Sequence, residues 1–229
     1  SAVHRQGAID RISSRAADFD GFLVHSNYYR DHMAAMLRLP VEKFAHIPLG
    51  IDFSGFSPLE QPRTDNEFRI GYFARICPEK GLHLLVESVR KIRTQHPDVR
   101  LIAGGYLGSR DAAYFESVTK AAEDLGDAFE YIGSPDNQSV KAGFLQSLDV
   151  LSVPAPYKEP KGIYVLEVLA CGVPVVQPAH GAYPEMLAKT QGGLLFEPGN
   201  VDDLVEKLSE LIVDSAKRTE LATRGNTLV

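Results

Sequence analysis

Cysteine is nearly absent: Cys77 and Cys171 are the only two among 229 residues. That is too few for a disulfide framework, and neither has the spacing or partners of a zinc site. Both are expected to be reduced thiols packed as small apolar side chains. No apolar run approaches the length of a membrane span and no signal peptide opens the chain, so a cytoplasmic location is expected. Positive charge is not in excess. The formal net charge of -6 leaves no broad electrostatic footprint for nucleic acid or an anionic membrane. Basic residues that matter therefore belong in a local pocket. The 7 histidines are scattered without metal-ligand spacing or an obvious Ser/Asp partner order, and read as structural or exposed. No internal repeat or low-complexity tract is evident. Ser1-Ala2-Val3 lacks an initiator Met, and the chain stops at Val229 just after a helical pattern, so both ends are expected to be cut.

What is present is an ordinary globular balance, 44% hydrophobic and 24% charged, enough to bury a real core. Short β-type apolar runs alternate with helical patterns. Candidate strands are Gly21–His25, Phe68–Phe73, Val99–Ala103, Phe129–Ile132, Val150–Val153, Pro174–Gln177 and Gly193–Phe196. Candidate helices are Asn27–Leu37, Leu82–Thr94, Ala112–Leu125, Ser139–Ser147, Ile163–Cys171 and Asp202–Val213, with one more opening at Tyr183-Pro184-Glu185. Leu82, Leu85, Val86, Val89 and Ile92 recur three and four apart, the stripe of a helix with one face on a core. Leu-Ile-Ala and Val-Leu-Ser-Val are apolar on both faces, as parallel strands covered on each side must be. This alternation predicts an α/β fold with a doubly wound parallel sheet, Rossmann-like.

One stretch breaks the alternation. Residues 54–67 are polar, proline-rich and without period, and read as a linker. The roughly 50 residues before it are too few for a doubly wound domain of their own. The expected organisation is therefore residues 1–53 as the tail of a preceding domain, 54–67 as linker, and 68–229 as a ligand-binding domain.

Chemistry concentrates between Val153 and Val176. A strand ends, a proline-rich loop carrying Glu159 follows, and a helix starts near Gly162 with Glu167 inside it. Glycine there exposes the backbone N–H groups of Ile163 and Tyr164, which with the helix dipole suit a phosphate. The two acids do not make a glycosidase pair: eight residues of helix span ~12 Å, beyond the ~5–9.5 Å such pairs need. Separate roles follow, Glu159 toward sugar hydroxyls and Glu167 toward a second polar group such as a ribose; two solvated surface acids are the plain alternative. A second strand-loop-helix cluster holds Arg75 and Lys80, placed to neutralise a diphosphate at the carboxyl end of a strand. Its plain alternative is exposed loop charges, with Lys80 paired to Glu79. Gly104-Gly105 lacks the third glycine of the dinucleotide fingerprint, so it and Gly133-Ser134 read as tight strand-to-loop turns near a ligand. Glu185 reads as a favourable acid in the first turn of its helix.

In this order the clusters resemble the family-4 (group 1) glycosyltransferases of the GT-B fold. The family's Glu-x(7)-Glu matches Glu159 to Glu167, followed by Ala170-Cys-Gly-Val-Pro-Val-Val176. Its Arg…Lys-Gly loop matches Arg75…Lys80-Gly81, its approach to the C-terminal domain matches Pro48-Leu-Gly-Ile-Asp52, and its closing loop matches Gly192 to Gly199 with Asp202-Asp203-Leu204.

The resemblance implies one half of a two-domain cleft, the half that holds a UDP-, GDP- or ADP-hexose. Arg75 and Lys80 would grip the diphosphate with the amides of Ile163 and Tyr164. Glu167 would bind ribose, and Glu159 would contact the transferred sugar, with Gly162, Gly133 and Ser134 near the donor. It further implies retention of anomeric configuration, no metal and no cofactor. A glycan, lipid or small-molecule acceptor would be bound by the N-terminal domain, most of which is expected to be missing, as is the C-terminal helix that crosses back to it. The chain alone is expected to bind donor weakly and turn over nothing, and membrane association of the whole protein stays open.

Two positions depart from the family. Glu-Gly-Phe-Gly is here Glu159-Pro160-Lys161-Gly162, with a stiffer loop and an added cation, and the glycine pair before the Pro-Glu helix is Gly181-Ala182. A non-catalytic nucleotide-sugar-binding module is the alternative reading, and a GT-B relative that isomerises or phosphorolyses sugars is a third.

Overall fold

A computed structural model describes residues 2–48, 50–61 and 63–229, with residues 2–5 as backbone alone. Leu49 of the Pro48–Asp52 match and Pro62 of the linker lie outside the described residues.

Six parallel strands form the main sheet: β3 (Phe68–Phe73), β4 (Val99–Gly104), β5 (Phe129–Tyr131), β6 (Val150–Leu151), β7 (Val175–Pro178) and β8 (Gly193–Phe196). Their spatial order is β5-β4-β3-β6-β7-β8. The chain steps outward from β3 to β5, then returns to β6 beside β3 and steps out the other way. That reversal opens a crevice at the carboxyl edge between β3 and β6, the place where open α/β sheets take ligands. Helices α3 (Leu82–Arg93), α4 (Ala112–Ala121), α5 (Gln138–Gln146), α6 (Ile163–Ala170) and α7 (Tyr183–Thr190) supply the crossovers, and α8 (Val201–Val213) follows the last strand and packs beside α3. The expected stripe of α3 is buried throughout, from Leu82 to Ile92, each such side chain contributing about 1.5–3 kcal/mol. The other edge of the sheet is stitched by ion pairs, among them Arg63–Asp149, Arg69–Asp65 and Arg100–Glu67.

Residues before the linker form a smaller body. β1 (Phe22–Val24) and β2 (Phe44–His46) pair in parallel, covered by α1 (Ala2–Ser14) and α2 (Asn27–Leu37). Val24, Ala34, Leu37 and Phe44 are its buried core. Residues 54–67 contain no helix or strand among those described.

Three elements differ from the expectation. The helix expected to run from Ala112 to Leu125 ends at Ala121, and the short turns that follow are broken at Gly126, with φ 51° and ψ -130°. The apolar spacing misleads there because Ala122 and Leu125 remain buried after the helix has stopped. β2, three residues long, is too short to show a period. Helix α9 (Ser215–Leu228) carries the helical pattern before Val229, but its mostly polar residues gave it no bounds among the candidate helices. It is seated by a close approach: a Cβ on Gly225 would lie 2.9 Å from the Cα of Gly192 and 2.7 Å from Leu169. The side-chain amide of Asn226 then donates to the carbonyl of Ala170 at 2.8 Å.

Candidate active site

The loops after β3, β4 and β5 are laced together at the carboxyl edge. Gly105 N–H donates to the carbonyl of Gly133 at 2.9 Å, Ile76 N–H to Tyr106 at 2.9 Å, and the Tyr131 hydroxyl to Gly105 at 2.7 Å. Gly133 and Ser134 therefore stand at the edge where a ligand would lie.

Arg75, Lys80 and Glu159 converge on one cavity of about 510 Å³, whose walls also include Cys77, Glu79, Arg110, Asp111, Tyr157 and Pro160. Arg75 follows β3 and is exposed, while Lys80 ends a short turn at Pro78–Lys80. The ammonium of Lys80 pairs with the carboxylate of Glu159, not with neighbouring Glu79. Glu159 is 8% exposed, and its other oxygen accepts the backbone N–H groups of Lys161 at 3.2 Å and Gly162 at 3.3 Å. Its carboxylate thus sits at the amino end of α6 between a cation and two amides, a cradle suited to an anion. Gly162 opens α6 with φ 66°. The next N–H groups, of Ile163 and Tyr164, belong to the first turn, where no preceding helical carbonyl exists to accept them.

Glu167 lies one turn further along α6, also buried. It does not line that cavity. It meets Lys141 of α5, whose Nζ stands 2.6 Å from both carboxylate oxygens and 5.0 Å from the centre of the Phe73 ring. Lys141 was missed by sequence reasoning: it lies on a different helix and belongs to none of the patterns that drew attention to Glu167. Arg110 and Asp111, ahead of α4, likewise belong to none of those patterns, whereas Tyr157 lies in the Glu159 loop itself and was not singled out there.

The phenol of Tyr164 bonds that of Tyr183, and burial pushes both well above the ordinary tyrosine value, so both stay protonated. Cys77 is pushed up by burial and by its bond to Glu79. Glu79 is held low by its own backbone N–H and then by that thiol. Burial pulls His180 down, and its ring centre is 6.5 Å from that of Tyr183.

The loop carrying Glu159 is gripped from behind. Ala182 N–H donates to the carbonyl of Glu159 at 2.8 Å, and the buried hydroxyl of Ser26 donates to the carbonyl of Pro160 at 2.9 Å. Gly181 has φ 64°, and a Cβ there would lie 2.5 Å from the Glu159 carbonyl oxygen. Glu185 is in the first turn of α7, as expected, but its carboxylate also reaches α2. It accepts Asn27 N–H at 3.0 Å, the Asn27 side-chain amide at 2.9 Å and Tyr28 N–H at 3.1 Å.

Among the described residues no group of three or more His, Cys, Asp or Glu could hold a metal ion. Among those residues no helix is long and apolar enough to cross a membrane.

The family model for glycosyl transferases group 1 matches residues 58–227. The chain is 28% identical to a GDP-mannose-dependent alpha-(1-6)-phosphatidylinositol monomannoside mannosyltransferase of Mycolicibacterium smegmatis, over 95% of this chain and 59% of that protein. It is 28% identical to a D-inositol 3-phosphate glycosyltransferase of an Arthrobacter species, over 94% of this chain and 50% of that protein. The chain thus spans about half the length of the curated relatives it matches. Among solved structures, the C-terminal domain of a glycosyl transferase group 1 family protein from Francisella tularensis superposes with a TM-score of 0.72 at 26% identity, covering 79% of this chain and 96% of that one. Anabaena Alr3699/HepE, in complex with UDP and glucose, shares the fold with a TM-score of 0.86 at 20% identity, covering 99% of this chain and 63% of that one.

Proposed function

This chain belongs to the glycosyl transferases group 1 family, and we propose that it supplies the donor-binding half of a retaining enzyme that moves a hexosyl group from a nucleotide-diphosphate sugar to an acceptor. The observation that carries the reading is the cradle at the amino end of α6, where Lys80, Arg75 and Glu159 meet in one cavity. Residues 68–229 are the nucleotide-sugar-binding domain, 54–67 the linker, and 1–53 part of the acceptor-side domain.

In this reading Lys80 and Arg75 offset the charge of the diphosphate as it departs, aided by the first amides of α6. Such preorganised charge acts on the transition state more than on the ground state. Glu159 faces the transferred sugar and Glu167 the ribose, with the turn at Gly133-Ser134 close to the nucleoside. No residue of the cavity is assigned as a nucleophile, and no metal or cofactor is assigned a step. GDP-mannose is the first donor to try, since related mannosyltransferases are named for it. The acceptor, glycan, lipid or small molecule, is a property of the whole protein, and inositol-bearing acceptors come first on the same ground.

Calorimetric titration of the chain with GDP, UDP and ADP tests the proposal. Saturable binding of one nucleotide, weakened by Lys80→Ala and Glu167→Ala alike, supports it. Absence of binding to both the chain and the longer protein carrying it would overturn it. Binding without sugar transfer by that longer protein would favour a non-catalytic module.

A further inference from the structure

Glu185 stands where two helices meet head to head. It occupies the first turn of α7, and its carboxylate also accepts the first two backbone N–H groups of α2, at 3.0 and 3.1 Å. Both helix ends carry partial positive charge, and a single carboxylate between them offsets both. Immediately before α2, Ser26 is 3% exposed, its oxygen accepting Tyr29 N–H at 3.2 Å while its proton goes to Pro160. Ser26 and Pro160 are 134 residues apart, on opposite sides of the linker.

Consecutive peptide carbonyls in the Glu159 loop are therefore held from different bodies. That of Glu159 is held by Ala182, at the head of α7, and that of Pro160 by Ser26, at the head of α2. Proline fixes the φ between them, so the hold on one peptide restrains the next. Glu185 locks the two heads to each other.

We propose that Ser26 and Glu185 are positioning residues, which couple the seating of the N-terminal segment to the backbone that presents the Glu159 carboxylate. Movement of α2 away from α7 frees the Pro160 carbonyl and loosens the Gly162 amide that Glu159 now holds. The consequence for sugar transfer rests on the donor-site reading above; the coupling itself does not.

Amide hydrogen exchange on the full chain tests it. Ser26→Ala is expected to speed exchange at Gly162 and Ala182 by about tenfold or more, with Val168 inside α6 unchanged. Ser26→Thr, which keeps the hydroxyl, should restore protection to within roughly twofold. Glu185→Gln should give the same local acceleration at a smaller size, and serves as a second variant if Ser26→Ala does not fold. Equal exchange in all forms overturns the coupling. Acceleration of Val168 along with Gly162 and Ala182 also overturns it, since that marks a general loss of structure. Titration of the same proteins, and of the longer protein carrying the chain, with GDP, UDP and ADP separates the two readings: no binding by any of them overturns the donor site, while the exchange pattern alone decides the coupling.

Discussion

Lys80 and Glu159, 79 residues apart in sequence, are ion-paired at the amino end of α6. The carboxylate thereby occupies the cation that the donor's phosphate is proposed to use, and holds the Gly162 amide next to the proposed phosphate amides of Ile163 and Tyr164. Two anions cannot share that cradle without repulsion, so phosphate entry requires Glu159 to give up its partners.

Removing either partner should then act in opposite directions. Lys80→Ala loses a charge-assisted bond of about 1.5–3 kcal/mol, which weakens nucleoside diphosphate roughly 10- to 100-fold. Glu159→Ala removes the competing anion and should tighten the same ligand, by about tenfold for each 1.4 kcal/mol released, while abolishing transfer by the longer protein. Isothermal titration reads both. Weaker binding by Glu159→Ala would show that the carboxylate assists the phosphate instead of competing with it.

The pair between Lys141 and Glu167 is a matter of stability as well as of ligand. Side-chain exposure is 23% for Lys141 and 11% for Glu167, so Lys141→Ala leaves a mostly desolvated carboxylate without its cation. A loss of about 1–3 kcal/mol is expected, or roughly 2–12 °C in Tm for a chain of this size. Thermal melting checks it, and the double change Lys141→Met with Glu167→Leu should recover most of the loss.

Acid should destabilise the fold through partly desolvated imidazoles, that of His180 half-buried and that of His83 nearer the surface. Burial lowers the His180 value, opposed by backbone bonds and reinforced by Lys158, and burial likewise lowers that of His83. In each case the unfolded chain binds the proton more readily than the folded one. The stability they allow is therefore complete above the ordinary histidine value and is lost as pH falls through the lower folded value. Tm should fall between pH 7 and 5, and His180→Gln should flatten part of that fall. An unchanged slope in the variant would acquit His180.

Neither thiol should react in the native chain. Both cysteines are buried, and burial pushes Cys171 up to about 12. Mass spectrometry after iodoacetamide treatment at neutral pH should find both unmodified, and both labelled once the chain is unfolded.

Gly181→Ala should loosen the Glu159 loop. The added methyl meets the Glu159 backbone in a conformation that already disfavours side chains, and a loss of about 1–3 kcal/mol is expected. Urea denaturation with an unchanged m-value measures it.

The sheet was legible because burial on both faces writes continuous apolar runs, and Phe68–Phe73 and Gly193–Phe196 coincide with β3 and β8. α3 was legible from its stripe. Arg75, Lys80 and Glu159 stood out because each lies at a strand-to-helix junction, and the fold brings those junctions to one edge. What escaped depends on contacts between distant parts of the chain. Nothing local marks Lys141 as the partner of Glu167, or Asn27 and Tyr28 as partners of Glu185. The bounds and seating of α9 escaped because its fit relies on the missing side chains of Gly225 and Gly192, and an absent atom leaves no hydrophobic signal.

Because every strand of the main sheet runs the same way, the chain visits the reactive edge and the opposite edge in strict alternation. The turns at the far edge, such as the exposed Gly126-Asp127, are thereby set apart from the proposed donor site by the length of a strand. They are natural seams for grafting a reporter or a second module, and for exchange between relatives, with the reactive edge left untouched.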